Sequence, residues 1–225
     1  LAKVIILDQR SGRALKTREE RAAWQQWIAK RMLGALDITV KQNGIFPKKG
    51  LMVSNHLGYL DVIAIASLGH AVFVSKSDVI NWPLIGILLK HTGTILTYRN
   101  QPLKAAETTK NIDEVLKHHL PVVLFPEGTS TDGNELLPFR APLFQPAHSA
   151  ETDIVPVGIR YTTKTGSPAK DVCYWGDDTF FPHLTKLATL REITAHIHIG
   201  ESEQPRGNRK ESAAHFHKRV KELIA

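Results

Sequence analysis

The sequence predicts an α/β fold: a mixed, mostly parallel sheet flanked by helices, with an N-terminal amphipathic helical segment in front of it. Three observations carry this. Short apolar, β-branched runs alternate with longer segments of helical spacing. Several of those runs, Leu51-Met52-Val53 and Val122-Val123-Leu124 among them, contain no polar side chain, as strands covered on both faces require. A chain of 225 residues that is 42% hydrophobic can also bury one substantial core.

Residues 1–36 read as a separate basic segment, with eight Lys/Arg against three Asp/Glu. Thr17 and Glu20 have capping-box spacing, so a helix starts there. Trp24, Trp27, Ile28, Arg31 and Met32 then fall near one side of it. Tryptophans flanked by basic residues suit a membrane interface, and the same stripe also suits packing on the domain body. Residues 37–225 form the α/β domain. Its first predicted strands are 38–41, which alternates, and 51–54, which is apolar. Helix 59–68 follows Gly58 and carries Asp61 in its first turn, where an acid is favourable. Strand 71–75 precedes helix 83–90, which opens on a proline. Strand 94–97 follows Gly93, and helix 103–118 carries Ile112, Val115 and Leu116 at helical spacing. Strands 121–125, 154–159 and 172–175 are apolar runs. Helix 181–190 repeats Phe181, Leu184 and Leu187, strand 193–199 alternates, and a last helix runs over 208–223.

The net charge of +7 calls for an anionic partner: nucleic acid, an anionic membrane, a phosphorylated substrate or an acidic carrier protein. No nucleic-acid motif accompanies the charge. Cys173 is the single cysteine, so no intramolecular disulfide exists, and a small buried apolar role in a reducing compartment is expected. No run of about 18 apolar residues spans a bilayer. The chain begins at Leu1 rather than Met, which leaves room for an upstream membrane anchor. The eleven histidines show no zinc-ligand spacing, and no metal is expected.

Four blocks could carry chemistry. In Asn55-His56-Leu57-Gly58-Tyr59-Leu60-Asp61, a histidine and an aspartate stand in His-x4-Asp spacing just after a buried strand. On one continuous helix they would point about 140° apart. With His56 on the turn and Asp61 in the first helical turn they can meet, and Gly58 allows the bend. A carboxylate on one ring nitrogen leaves the other free to take a hydroxyl proton. The second block, Arg99 after the strand Thr94-Ile95-Leu96-Thr97, could grip a phosphate or carboxylate. The third is Phe125-Pro126-Glu127-Gly128-Thr129-Ser130, which places an acid, a bare backbone and hydroxyls at a strand exit. The fourth, Ile154-Val155-Pro156-Val157-Gly158-Ile159, reads as a buried strand.

In this order the four blocks resemble the phospholipid/glycerol acyltransferase family, of which 1-acylglycerol-3-phosphate acyltransferase is the best-known member. The resemblance covers about half the chain, residues 50–159. It implies His56 as general base and Asp61 as its orienting partner. It also implies an acceptor pocket built from Glu127, Gly128, Thr129 and Arg99, with Lys76 where the family often has a lysine. The implied reaction moves a fatty acyl group from acyl-coenzyme A or acyl carrier protein to a lyso-lipid hydroxyl, without a cofactor. Backbone amides near the helix after His56 could steady the oxyanion. The expected acceptor is 1-acyl-sn-glycerol-3-phosphate. The alternatives are a non-phosphate acceptor such as lyso-ornithine lipid, or an inactive lipid-binding module. The expected location is the cytoplasmic face of an anionic membrane. One position departs from the family pattern: Ser130 stands where an arginine is usual. Arg99, Arg140 and Lys76 remain as candidate cations in its place.

Overall fold

The structure is a computed structural model that describes residues 15–82, 85–98, 102–118 and 120–225. Helix α1 (Arg18–Ala35) leads into β1 (Ile38–Asn43) and β2 (Leu51–Ser54). Then come α2 (Tyr59–Leu68), β3 (Val72–Lys76), α3 (Ile85–Thr92), β4 (Ile95–Thr97), α4 (Pro102–Lys117) and β5 (Val122–Leu124). A short helix α5 (Gln145–Ser149) precedes β6 (Ile154–Thr162), α6 (Phe180–Leu187), β7 (Ile193–Ile199) and α7 (Arg209–Ile224). The strands form one seven-stranded sheet in the order β1-β7-β6-β2-β5-β3-β4. Only β6 and β7 pair antiparallel, so the sheet is mixed and mostly parallel as the sequence predicts.

β2 lies between β5 and β6, with Leu51 in register with both Val122 and Ile154. All four β2 residues are buried. Because strand side chains alternate, Met52 joins the core layer that includes Ile28 and Ile65 of α1 and α2. Leu51 and Val53 join the opposite layer with Ile112, Phe144 and Phe216. Coverage on both faces explains why these strands carry no polar face.

The capping box at α1 is formed. Glu20 N–H donates to Thr17 Oγ1 at 3.1 Å, and Thr17 N–H donates to the Glu20 carboxylate at 3.2 Å. Ile28, Ala29, Met32 and Leu33 bury this helix in the core. The two tryptophans take different environments. Trp24 packs against that core, whereas Trp27 is 40% exposed under the Arg31 guanidinium, 4.7 Å from its ring centre. No helix among the described residues is long and apolar enough to cross a membrane.

The predicted strand 172–175 does not exist. Val172 ends a turn over Pro168–Val172, and the next residues run on as an irregular connection. The backbone bonds of this segment go to non-strand partners: Cys173 N–H to Pro168 O and Tyr174 N–H to Leu57 O. The strands that flank this run in sequence, β6 and β7, each already have two partner strands, so it finds no open edge beside them. Helix α5 is the converse case. Pro142 and Pro146 look like breakers, yet they occupy the first turns of a 3-10 segment (Ala141–Phe144) and of α5, where no N–H is needed. The first two residues of the predicted helix 83–90 lie outside the described residues.

Candidate active site

The site grows from the carboxyl end of β2, the kind of strand edge where α/β sheets collect reactive side chains. Asn55 is buried and prolongs the β2–β6 ladder with its side chain. Its Nδ2 donates to Ile159 O at 3.0 Å, and its Oδ1 accepts from Ile159 N–H at 2.8 Å. The chain then turns through His56 and Leu57 to Gly58. Gly58 has φ +146°, and a Cβ there would lie 2.8 Å from Tyr174 Cβ and 2.9 Å from Tyr174 N. Only glycine fits this corner. Helix α2 starts at the next residue and presents Asp61 in its first turn.

His56 and Asp61 meet as their spacing predicts, with Nδ1 and Oδ2 2.8 Å apart. Asp61 is fully buried, and its carboxylate is the hub of the site. Oδ2 also accepts from Leu57 N–H at 2.6 Å and Gly58 N–H at 2.9 Å, and Oδ1 accepts from the Tyr161 hydroxyl at 2.8 Å. A carboxylate held by three other donors can only accept from the imidazole, so Nδ1 carries the ring proton. Nε2 is then a lone pair, with no partner among the described residues. The ring stacks on Phe125 with centroids 4.1 Å apart, which fixes its plane. The amides of Leu57 and Gly58, next to the start of α2, are already used by Asp61. They are not free to steady an oxyanion.

Tyr161, 100 residues from Asp61, carries no signal in the local sequence. Burial, together with the Asp61 charge, raises its phenol above the ordinary range, so it stays protonated and donates. Tyr161→Phe leaves Oδ1 without that donor in a buried site. A loss of about 1.5–3 kcal/mol of stability is expected from a bond to a charged group, read as a lowered denaturant midpoint. An unchanged midpoint would show that the hydroxyl does not hold Asp61.

Glu127 is 3% exposed and uses both oxygens on backbone. Oε1 accepts from His56 N–H at 2.7 Å, and Oε2 accepts from Leu137 N–H at 2.8 Å. Burial lifts its carboxyl above the usual range, and those two N–H bonds oppose the shift. Thr131 N–H donates to His56 O at 2.9 Å, so the 127–131 segment holds His56 at both its amide and its carbonyl. Gly128 is half-buried beside it, and Thr129 is exposed. Lys76 ends β3 in register with Thr97, at the sheet edge that carries the site. Arg99 lies outside the described residues. Cys173 is buried, and burial with the nearby Asp61 charge pushes its thiol up to about 12, so it supplies no thiolate nucleophile.

Several known proteins are similar to this chain. A family model described as acyltransferase matches residues 37–160, more than half of the chain. The chain is 35% identical over 176 residues to a lyso-ornithine lipid O-acyltransferase of Rhodobacter capsulatus, covering 73% of this chain and 62% of that protein. It is 32% identical over 174 residues to a 1-acyl-sn-glycerol-3-phosphate acyltransferase of Neisseria gonorrhoeae, covering 76% and 68%. The chain thus spans about three fifths of the length of the Rhodobacter relative. Its fold is similar to the crystal structure of the 1-acyl-sn-glycerophosphate acyltransferase PlsC from Thermotoga maritima. The TM-score is 0.66 at 18% identity, with 99% of this chain and 88% of that one covered.

Proposed function

The chain belongs to the acyltransferase family, and from that premise we propose that it moves a fatty acyl group from a thioester to the hydroxyl of a lyso-lipid. One observation carries the proposal: buried Asp61 holds His56 Nδ1 and leaves Nε2 free as a base. The acceptor oxygen attacks the thioester carbonyl carbon while its proton passes to Nε2. The tetrahedral adduct then breaks its carbon–sulfur bond, and the leaving thiolate takes the proton back from His56. The Asp61 carboxylate stabilises the imidazolium between the two transfers. The donor is acyl-coenzyme A or acyl carrier protein, either of which complements the +7 charge.

Of the two acceptors the sequence admits, Ser130 and the likeness to lyso-ornithine lipid acyltransferases favour lyso-ornithine lipid over 1-acyl-sn-glycerol-3-phosphate. We place the protein at the cytoplasmic face of an anionic membrane. The basic charge supports this, as do the exposed Trp27, Ile80, Ile87, Trp175 and Phe181.

The test offers purified protein both lyso-lipids, with acyl-coenzyme A and with acyl carrier protein. Transfer to lyso-ornithine lipid faster than to 1-acyl-sn-glycerol-3-phosphate is expected. No transfer to any lyso-lipid, with retained binding to anionic liposomes, would replace this reading with a non-catalytic lipid-binding module.

A further inference from the structure

We propose that Arg140 is the residue that recognises the anionic group of the acceptor headgroup, in place of the arginine missing at position 130. The inference rests on the acyl-transfer reading and gives that site its acceptor cation. Arg140 follows β5 by sixteen residues, yet the chain brings it back. Its N–H donates to Pro126 O at 2.9 Å, and the Leu137 bond to Glu127 closes the same loop. The side chain then lies over Gly128. A Cβ added at Gly128 would sit 2.6 Å from Arg140 Nε and 2.7 Å from Cζ. Gly128 falls between Glu127 and Thr131, the two residues that hold the His56 amide and carbonyl. The guanidinium thus lies against the bare backbone of the glycine, within the segment that holds His56.

The carboxylates of this loop do not pair with it. Glu127 is committed to two backbone amides. Asp132 is turned onto Asn134, accepting from its N–H at 3.0 Å and from its side-chain Nδ2 at 2.6 Å. Arg140 is exposed, and its guanidinium has no hydrogen-bond or ion-pair partner among the described residues. An unpaired planar fork on the segment that holds the proposed base suits a phosphate or a carboxylate carried a few bonds from the acceptor hydroxyl. A glycerol phosphate and an amino-acid headgroup both meet that description.

The test measures equilibrium binding of three lyso-lipids in one detergent to the parent, Arg140→Gln and Arg140→Lys proteins. The lipids are 1-acyl-sn-glycerol-3-phosphate, lyso-ornithine lipid and a neutral monoacylglycerol. Thermal unfolding confirms that the variants are folded, as expected for an exposed side chain whose backbone bond survives the change. The preference for the phosphate- and carboxylate-bearing lipids over the monoacylglycerol, which has neither group, is expected to fall about 10- to 100-fold in Arg140→Gln. Arg140→Lys should recover part of it, since a point charge lacks the fork. A loss confined to the phosphate lipid identifies phosphate as the ligand, and one confined to the ornithine lipid identifies carboxylate. A loss for both identifies a general anion site. Equal preference in the parent and Arg140→Gln proteins overturns the inference. Absence of acyl transfer with the binding preference intact overturns the enzymatic reading and leaves the anion site standing.

Discussion

His56→Ala is expected to lower kcat by about 10²–10⁴-fold, the usual worth of a positioned general base, while the protein stays folded. The structure separates these two effects. The imidazole is 22% exposed and lies on Phe125 rather than inside the core. Its removal takes one donor from Asp61, but Leu57 N–H, Gly58 N–H and the Tyr161 hydroxyl remain. The buried carboxylate is therefore not orphaned, and the large penalty of an unsatisfied buried charge is avoided. Steady-state transfer measured beside thermal unfolding checks both halves. A variant as fast as the parent would remove His56 from the chemistry and end the proposed mechanism.

Glu127→Gln is expected to damage stability and rate together. Each Glu127 oxygen accepts a backbone N–H, from His56 and from Leu137. A glutamine keeps one acceptor and turns an NH₂ group toward the other N–H. A backbone amide cannot reverse to become an acceptor, so one donor is left unmade in a site that is 3% exposed. The expected loss is about 1–3 kcal/mol of folding stability. The rate should fall as well, because the carboxylate holds the amide of His56, the proposed base. Denaturant unfolding and kcat read the two effects. A stable variant with a raised acceptor KM and unchanged kcat would instead make Glu127 a direct ligand of the acceptor.

Those two carboxylates show how the site divides between local and distant information. Asp61 was legible because its partner is five residues away. A strand end, a glycine and a helix start suffice to bring the pair together. Glu127 could be singled out as an acid at a strand exit, but not its task, because the amides it holds belong to residues 71 positions before it and ten after it. Trp24 and Trp27 were ambiguous for a similar reason. Their helical spacing is a local property, whereas which one meets the core depends on how α1 sits on the domain.

The sequence by itself determined the alternation of strands and helices, the capped start of α1, the apolar central strands and the place of His56 and Asp61 at the end of β2. These features follow from periodicity, capping and turn geometry, all of which act within a few residues. Tertiary structure alone decided that 172–175 is not a strand, that Tyr161 anchors Asp61, that Asn55 extends the ladder to Ile159, and that Arg140 lies on Gly128. Each depends on a free sheet edge or a hydrogen-bond partner that lies more than ten residues away in sequence. Such contacts impose no period on the chain, so they become visible only when the sheet order brings the segments together.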